Sequence, residues 1–125
     1  MKEIVGIEKA KQILGNFQFS EFSVVRELRY YEVPVDSSWI QMLDLVIEST
    51  GRTPNYRMKL VFSKVCALRL EGFGGGQFRI TGLGISEVSG RQWEEINWEV
   101  YDYEANAVQF YSSSASIEQI DPIRT

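Results

Sequence analysis

Two periods of hydrophobic patterning divide the chain. In the first fifteen residues, MKEIVGIEKAKQILG, the residues Ile4, Ile7, Ala10 or Lys11, and Leu14 recur at three- and four-residue spacing, and Val5 and Ile13 widen the stripe. That spacing gathers apolar side chains on one face of a helix, with Lys9, Lys11 and Gln12 opposite and Gly15-Asn16 as the stop. From Phe19 onward the period falls to two. Strands are expected at 22–34, 40–49, 56–62, 65–71, 77–88, 95–103 and 107–112, with one more at 116–120. Short strands separated by turn residues predict a mainly β fold: an antiparallel β-sandwich or strongly curved sheet of seven to eight strands with one short N-terminal helix. No linker, repeat or low-complexity tract interrupts the pattern, which predicts a single domain over 1–125, with the helix at 3–15 and the β core at 20–120.

Parity sets two expected hairpin registers. Met58, Leu60 and Phe62 share a face, as do Cys66, Leu68 and Leu70, and all six positions are even. A three-residue loop, Ser63-Lys64-Val65, would set Phe62 opposite Cys66, Leu60 opposite Leu68 and Met58 opposite Leu70, whereas a two-residue loop would split the apolar faces. By the same arithmetic a Glu104-Ala105-Asn106 loop puts Val100 opposite Phe110, with Asn106 in the left-handed conformation such loops need.

Composition narrows the chemistry. With 125 residues, 44% of them hydrophobic, the chain can bury a sizeable core without staples and is too apolar for disorder. It holds no His and one Cys. The missing His excludes Ser-His-Asp and Cys-His triads, imidazole bases and zinc sites that need a His ligand. A single Cys makes neither an internal disulfide nor a four-thiolate metal site, and Cys66, within Val65-Cys66-Ala67-Leu68, reads as a small buried hydrophobe. No calcium-loop spacing occurs, so no metal and no cofactor are implied. Lys and Glu break up the N-terminal apolar residues, so the stretch of about 7–15 residues that a secretory signal requires is missing. No run approaches the ~18 apolar residues of a membrane span. The expected location is cytoplasmic, with no membrane contact.

Charge is unevenly spread. Residues 1–90 carry 11 basic and 10 acidic side chains, while residues 91–125 carry only Arg91 and Arg124 against seven acids, a balance of −5. A nucleic-acid binder shows the opposite bias. An acidic surface suits a basic protein partner, or serves simply to keep the domain soluble.

Three segments invite chemistry. Phe73-Gly74-Gly75-Gly76-Gln77 lacks the Lys and hydroxyl of a phosphate-binding loop and continues into a strand, so it reads as a joint between strands, with Gly82 and Gly84 marking a bulge or sharp bend. In the strand 95–103, Ile96, Trp98 and Val100 point toward the core. Glu95, Asn97, Glu99, Tyr101 and Tyr103 point the other way. A row that interleaves carboxylates with Tyr rings can dock Arg and Lys side chains by ion pairing and cation–π contact. These five are the candidate partner-binding residues; the alternatives are an ordinary solvated face or one covered by the N-terminal helix. Glu95 and Glu99 meet the carboxylate spacing of a glycosidase only loosely, and no catalytic residue is assigned. Trp39 and Trp93 fall near strand ends and would serve as stacking platforms in the alternative reading, a small-ligand or carbohydrate-binding sandwich.

The succession LGNF (14–17), FSEFSVVREL (19–28), LDLVIE (43–48), LVFSKVCALRLEGF (60–73), GLGI (82–85) and NWEVYD (97–102) resembles small all-β bacterial immunity-type proteins of polymorphic toxin systems. Members often carry a His-Asp pair after the aromatic that opens the first strand; here the matching stretch is Phe19-Ser20-Glu21-Phe22, without His. The resemblance implies a cytoplasmic, non-enzymatic protein, monomeric or weakly dimeric, that binds one cognate toxin domain and occludes its active site. If that domain is a nuclease, its basic groove would meet Glu95, Glu99 and their neighbours.

Overall fold

The computed structural model describes residues 3–72, 78–88, 95–102 and 107–123, and of Phe78 the backbone alone. The helix α1 spans Ile7–Leu14 and buries Ala10 and Leu14. Ile4 and Val5, expected on its stripe, are extended instead. Val5 donates its N–H to the Ala115 carbonyl at 3.0 Å and accepts from the Ile117 N–H at 2.7 Å, making a parallel bridge with Ser116. The corner into α1 is Gly6, at φ 89°, where a Cβ would sit 2.7 Å from the Ile117 carbonyl oxygen. Only glycine fits that turn. The helical period therefore starts three residues later than the apolar pattern suggests, because Ile4 is buried from a strand-like backbone.

Eight strands of five residues or more follow, with a two-residue β5: β1 (Phe22–Val35), β2 (Ser38–Ser49), β3 (Tyr56–Ser63), β4 (Cys66–Leu70), β5 (Phe78–Arg79), β6 (Leu83–Glu87), β7 (Trp98–Asp102), β8 (Val108–Ser112) and β9 (Ser114–Pro122). They form two antiparallel sheets, ordered β5-β1-β2-β3-β9 and β4-β8-β7-β6. Alternating residues of both sheets meet in one core, where Phe62 of β3 packs edge-on against Phe110 of β8 at 4.9 Å between ring centres. Trp98 and Val100 are buried there as expected, while Ile96 is half-buried.

The chain changes sheets four times, and at three of these steps all the linking residues are described. Two residues, Lys64 and Val65, carry it from β3 to β4. The expected β3–β4 hairpin does not form: Phe62 faces Ala115, Leu60 faces Ile117 and Met58 faces Ile120 on β9, while Cys66 faces Tyr111 on β8. Matching apolar parity is equally satisfied when two successive strands face each other across a core, and left-handed backbone at Lys64 (φ 54°) and Ala67 (φ 55°) turns and bulges the chain into the second sheet. As a result Cys66 is exposed rather than buried. The second of these three splits the expected strand 77–88 into β5 and β6. Gly82 sits in the bend at φ 156°, with Ser20 O only 2.9 Å from where a Cβ would be. Asp102, 1% exposed, fixes this crossing: its Oδ1 accepts from the Thr81 N–H at 3.0 Å and from the Thr81 hydroxyl, and its Oδ2 accepts from the Ala107 N–H at 3.3 Å. The third is the step from β8 to β9 at Ser113.

The Val100–Phe110 register is as expected. The Glu104–Asn106 loop that should set it and the glycines 74–76 lie outside the described residues. α1 leans on β9 and the 3-10 turn Phe19–Glu21 leans on β6, so the leading segment runs from the edge of one sheet to the edge of the other. Arg52, in the β2–β3 loop, clamps it by donating to the Leu14 carbonyl at 3.0 Å and to Glu21 at 2.8 Å.

Candidate partner-binding surface

Pairing registers define the outer face of the four-stranded sheet. One row across it reads Gly84, Tyr101, Gln109, Arg69; the next reads Ser86, Glu99, Tyr111, Cys66. Glu99 accepts from Gln109 Nε2 at 3.0 Å and lies 3.5 Å from the Tyr111 hydroxyl. Tyr101 lays its ring over Gly84, where a Cβ would come within 2.3 Å of ring carbon Cε2, and its hydroxyl pairs with the Ser86 hydroxyl at 2.9 Å. The glycine expected as a bulge is instead a flat seat for an aromatic ring. Helix α1 packs on the other sheet's edge strand.

The five candidate residues are not one continuous row. Glu99 and Tyr101 share the outer face. Asn97 stands just before β7, donating from Nδ2 to the Ser113 carbonyl at 2.8 Å, so its side chain is tied to the backbone. Glu95 lies in a turn with left-handed backbone (φ 73°), paired with Lys64 Nζ at 3.0 Å. Tyr103 lies outside the described residues, as does Trp93. Cys66 joins this face, and desolvation raises its thiol pKa, the opposite of what a reactive thiolate needs.

The described residues that build the four-stranded half, 64–72, 83–88, 95–102 and 107–112, hold Lys64 and Arg69 against Glu71, Glu87, Glu95, Glu99 and Asp102, a balance of −3. The outer face of the five-stranded sheet carries a compact ion cluster. Glu48, nearly buried, accepts from Arg26 at 2.8 Å and from Arg57 at 2.6 Å. Burial pushes the Glu48 carboxyl up, but the hydrogen bonds from Arg57 and Arg26 outweigh it and hold the group below its ordinary value. Asp44, also buried, accepts from the Tyr31 hydroxyl at 2.8 Å, which raises the phenol pKa. Among the described residues, no group of three or more Cys, Asp or Glu side chains converges as metal ligands. No helix among them is long and apolar enough to cross a membrane.

A second feature escaped the pattern reading. β1 and β2 run past the sandwich. β3 accompanies β2 as far as the Met42–Ser63 pair, with one more bond from the Val65 N–H to the Gln41 carbonyl at 3.1 Å. β5 pairs β1 only at Val24 and Val25. Residues 32–41 therefore project as a two-stranded ribbon, about 13 Å long at ~3.3 Å per residue. It turns through Asp36 (φ 56°) and Ser37. Trp39 is 62% exposed, Tyr30 47% and Val35 40%. The signal lay in β1 itself, where LRYYEVPV carries apolar residues at both parities, more than a single buried face accounts for.

A comparison with protein-family models finds Immunity protein PIM8 over residues 7–118. No curated protein and no solved structure matches the chain. The matched span runs from the first residue of α1 into β9 and takes in both sheets, the acidic face and the ribbon. The chain belongs to the PIM8 immunity-protein family, and its role is that of an immunity-type, protein-binding domain.

Proposed function

We propose that this protein neutralises one cognate toxin domain by binding it stoichiometrically and covering its active site, without chemistry of its own, in the cytoplasm of the cell that makes it. Family membership carries the reading. The acidic balance of the described residues in the four-stranded half supports a basic partner, since complementary fields speed encounter and reject wrong partners. Glu99, held by Gln109, and Tyr101, seated on Gly84 and bonded to Ser86, lose little freedom when a partner arrives. Against a nuclease, these carboxylates would stand where substrate phosphates stand. Tyr103 belongs to the same proposed surface with Glu95 and Asn97.

The test is the double reversal Glu95→Lys with Glu99→Lys, followed by stopped-flow association with the toxin domain at two ionic strengths. Association should slow by roughly tenfold or more at low salt, and its salt dependence should shrink. Unchanged association kinetics would remove this face from the contact.

A further inference from the structure

Trp39, on the β1–β2 ribbon, and Tyr30, at its base, lie on the same face of the strand pair. The register sets Pro34 opposite Trp39, Tyr30 opposite Leu43 and Leu28 opposite Leu45, and Leu43 and Leu45 are core residues. The face that is buried along the sandwich therefore continues into the open along the ribbon, where the second sheet no longer covers it. On the opposite face of the ribbon Val35 is exposed as well, with Val33 and Ile40 half-buried beside it. Single exposed apolar residues are ordinary; several on one short projection mark a contact surface. Trp and Tyr are the residue types that most often anchor such contacts.

Three further observations say what would cover it. Residues 32–41, EVPVDSSWIQ, hold two carboxylates, Glu32 and Asp36, and no cation. The apolar cluster thus has an acidic rim, which suits a basic surface and repels an acidic one. The ribbon is also continuous with the acidic half of the molecule: Gln41 bonds Val65, and the adjacent Lys64 pairs with Glu95. Finally, Pro34 lies within β1, and proline is accommodated in a ladder where its missing N–H faces outward. A proline edge disfavours addition of a further strand, including one from a second copy. The ribbon offers side chains rather than backbone.

We infer that the ribbon is the apolar anchor of the toxin contact, with Trp39 at its centre and Tyr30 beside it, seated in an apolar cleft of a basic protein surface. This rests on the immunity reading and adds the residues that fix the partner after electrostatic encounter. The hydrogen bond from Gln41 Nε2 to Glu32 at 2.9 Å ties the two strands together, so Trp39 is presented with its backbone already ordered.

The experiment titrates the purified cognate toxin domain against the wild type, Trp39→Ala, Tyr30→Ala and Ile13→Ala. Ile13 is an exposed apolar residue on α1, away from the ribbon, and serves as the control. Because all three side chains are exposed, the variants should keep the wild-type melting temperature. Trp39→Ala should weaken binding by roughly 30-fold or more and Tyr30→Ala by about fivefold, with Ile13→Ala within twofold. Wild-type binding with Trp39→Ala within twofold of it would overturn the anchor and leave the immunity reading standing. No wild-type binding at all would overturn the immunity reading itself. A concentration-dependent dimer in sedimentation that Trp39→Ala abolishes would assign the ribbon to self-association and overturn the toxin as its occupant.

Discussion

Replacing Gly84 with Ala isolates the seat of Tyr101. The added methyl would lie 2.3 Å from Cε2 and 2.5 Å from Cζ of the ring, so the ring must lift. Lifting it breaks the hydrogen bond to Ser86, at a net cost of about 1 kcal/mol. It also uncovers part of one ring face; if roughly 40 Å² is re-exposed, the cost at ~25 cal/mol per Å² is about 1 kcal/mol more. Against this, Ala in a strand is favoured over Gly by about 0.5–1 kcal/mol. The net expectation is a loss of about 1–1.5 kcal/mol, or roughly 3–6 °C in melting temperature for a chain of this size. The decisive assay is a four-protein cycle by urea unfolding: wild type, Gly84→Ala, Tyr101→Ala and the double variant. In the Tyr101→Ala background the obstruction is gone, and Gly84→Ala should stabilise by about 0.5 kcal/mol, a reversal of sign. Equal destabilisation in both backgrounds would refute the idea that the glycine exists to seat the ring.

The other expectations concern buried carboxylates. Asp102→Ala strands the Thr81 and Ala107 amides that Asp102 now accepts, and should cost about 3 kcal/mol in urea unfolding, with faster amide exchange at both residues. A loss under about 1 kcal/mol would contradict that role. For Glu48 the folded value lies below the ordinary 4.5, so its contribution is fully present above that pH and is lost as pH falls through the lower folded value. The stability gap between wild type and Glu48→Gln should therefore be widest near pH 6 and narrow toward pH 3. A gap that widens on acidification would contradict the ion cluster's role.

The parts of the fold that reached the sequence as local periodicity were legible. Strand positions, the two-sheet class, the helix and the Val100–Phe110 register all follow from alternation and parity within a short window. The β3–β4 hairpin misled because parity records only that Phe62 and its neighbours face a core. It does not record whether the next strand lies beside them or across from them. The same ambiguity put Cys66 inside, when the bulge at Ala67 turns it out. Glu99 and Tyr101 were read on the outer face of the strand, but Glu95 lies in a left-handed turn ahead of β7, where the alternation no longer applies. Asp102, counted among surface acids, proved to be an internal bracket, which no single-strand pattern could reveal. The ribbon was missed because overhang depends on where neighbouring strands stop, a property of the assembled sheet.

The bridge between Val5 and Ser116 joins the opening of the chain to its last strand, with β9 also completing the flank of β3. During synthesis, then, β3 waits for its outer neighbour, and Val5 has no partner strand until residue 117 has emerged. At 5–20 residues per second that wait is about 6–22 s. Throughout it the β1–β2 ribbon can zip up on its own while the sandwich beneath it is still open.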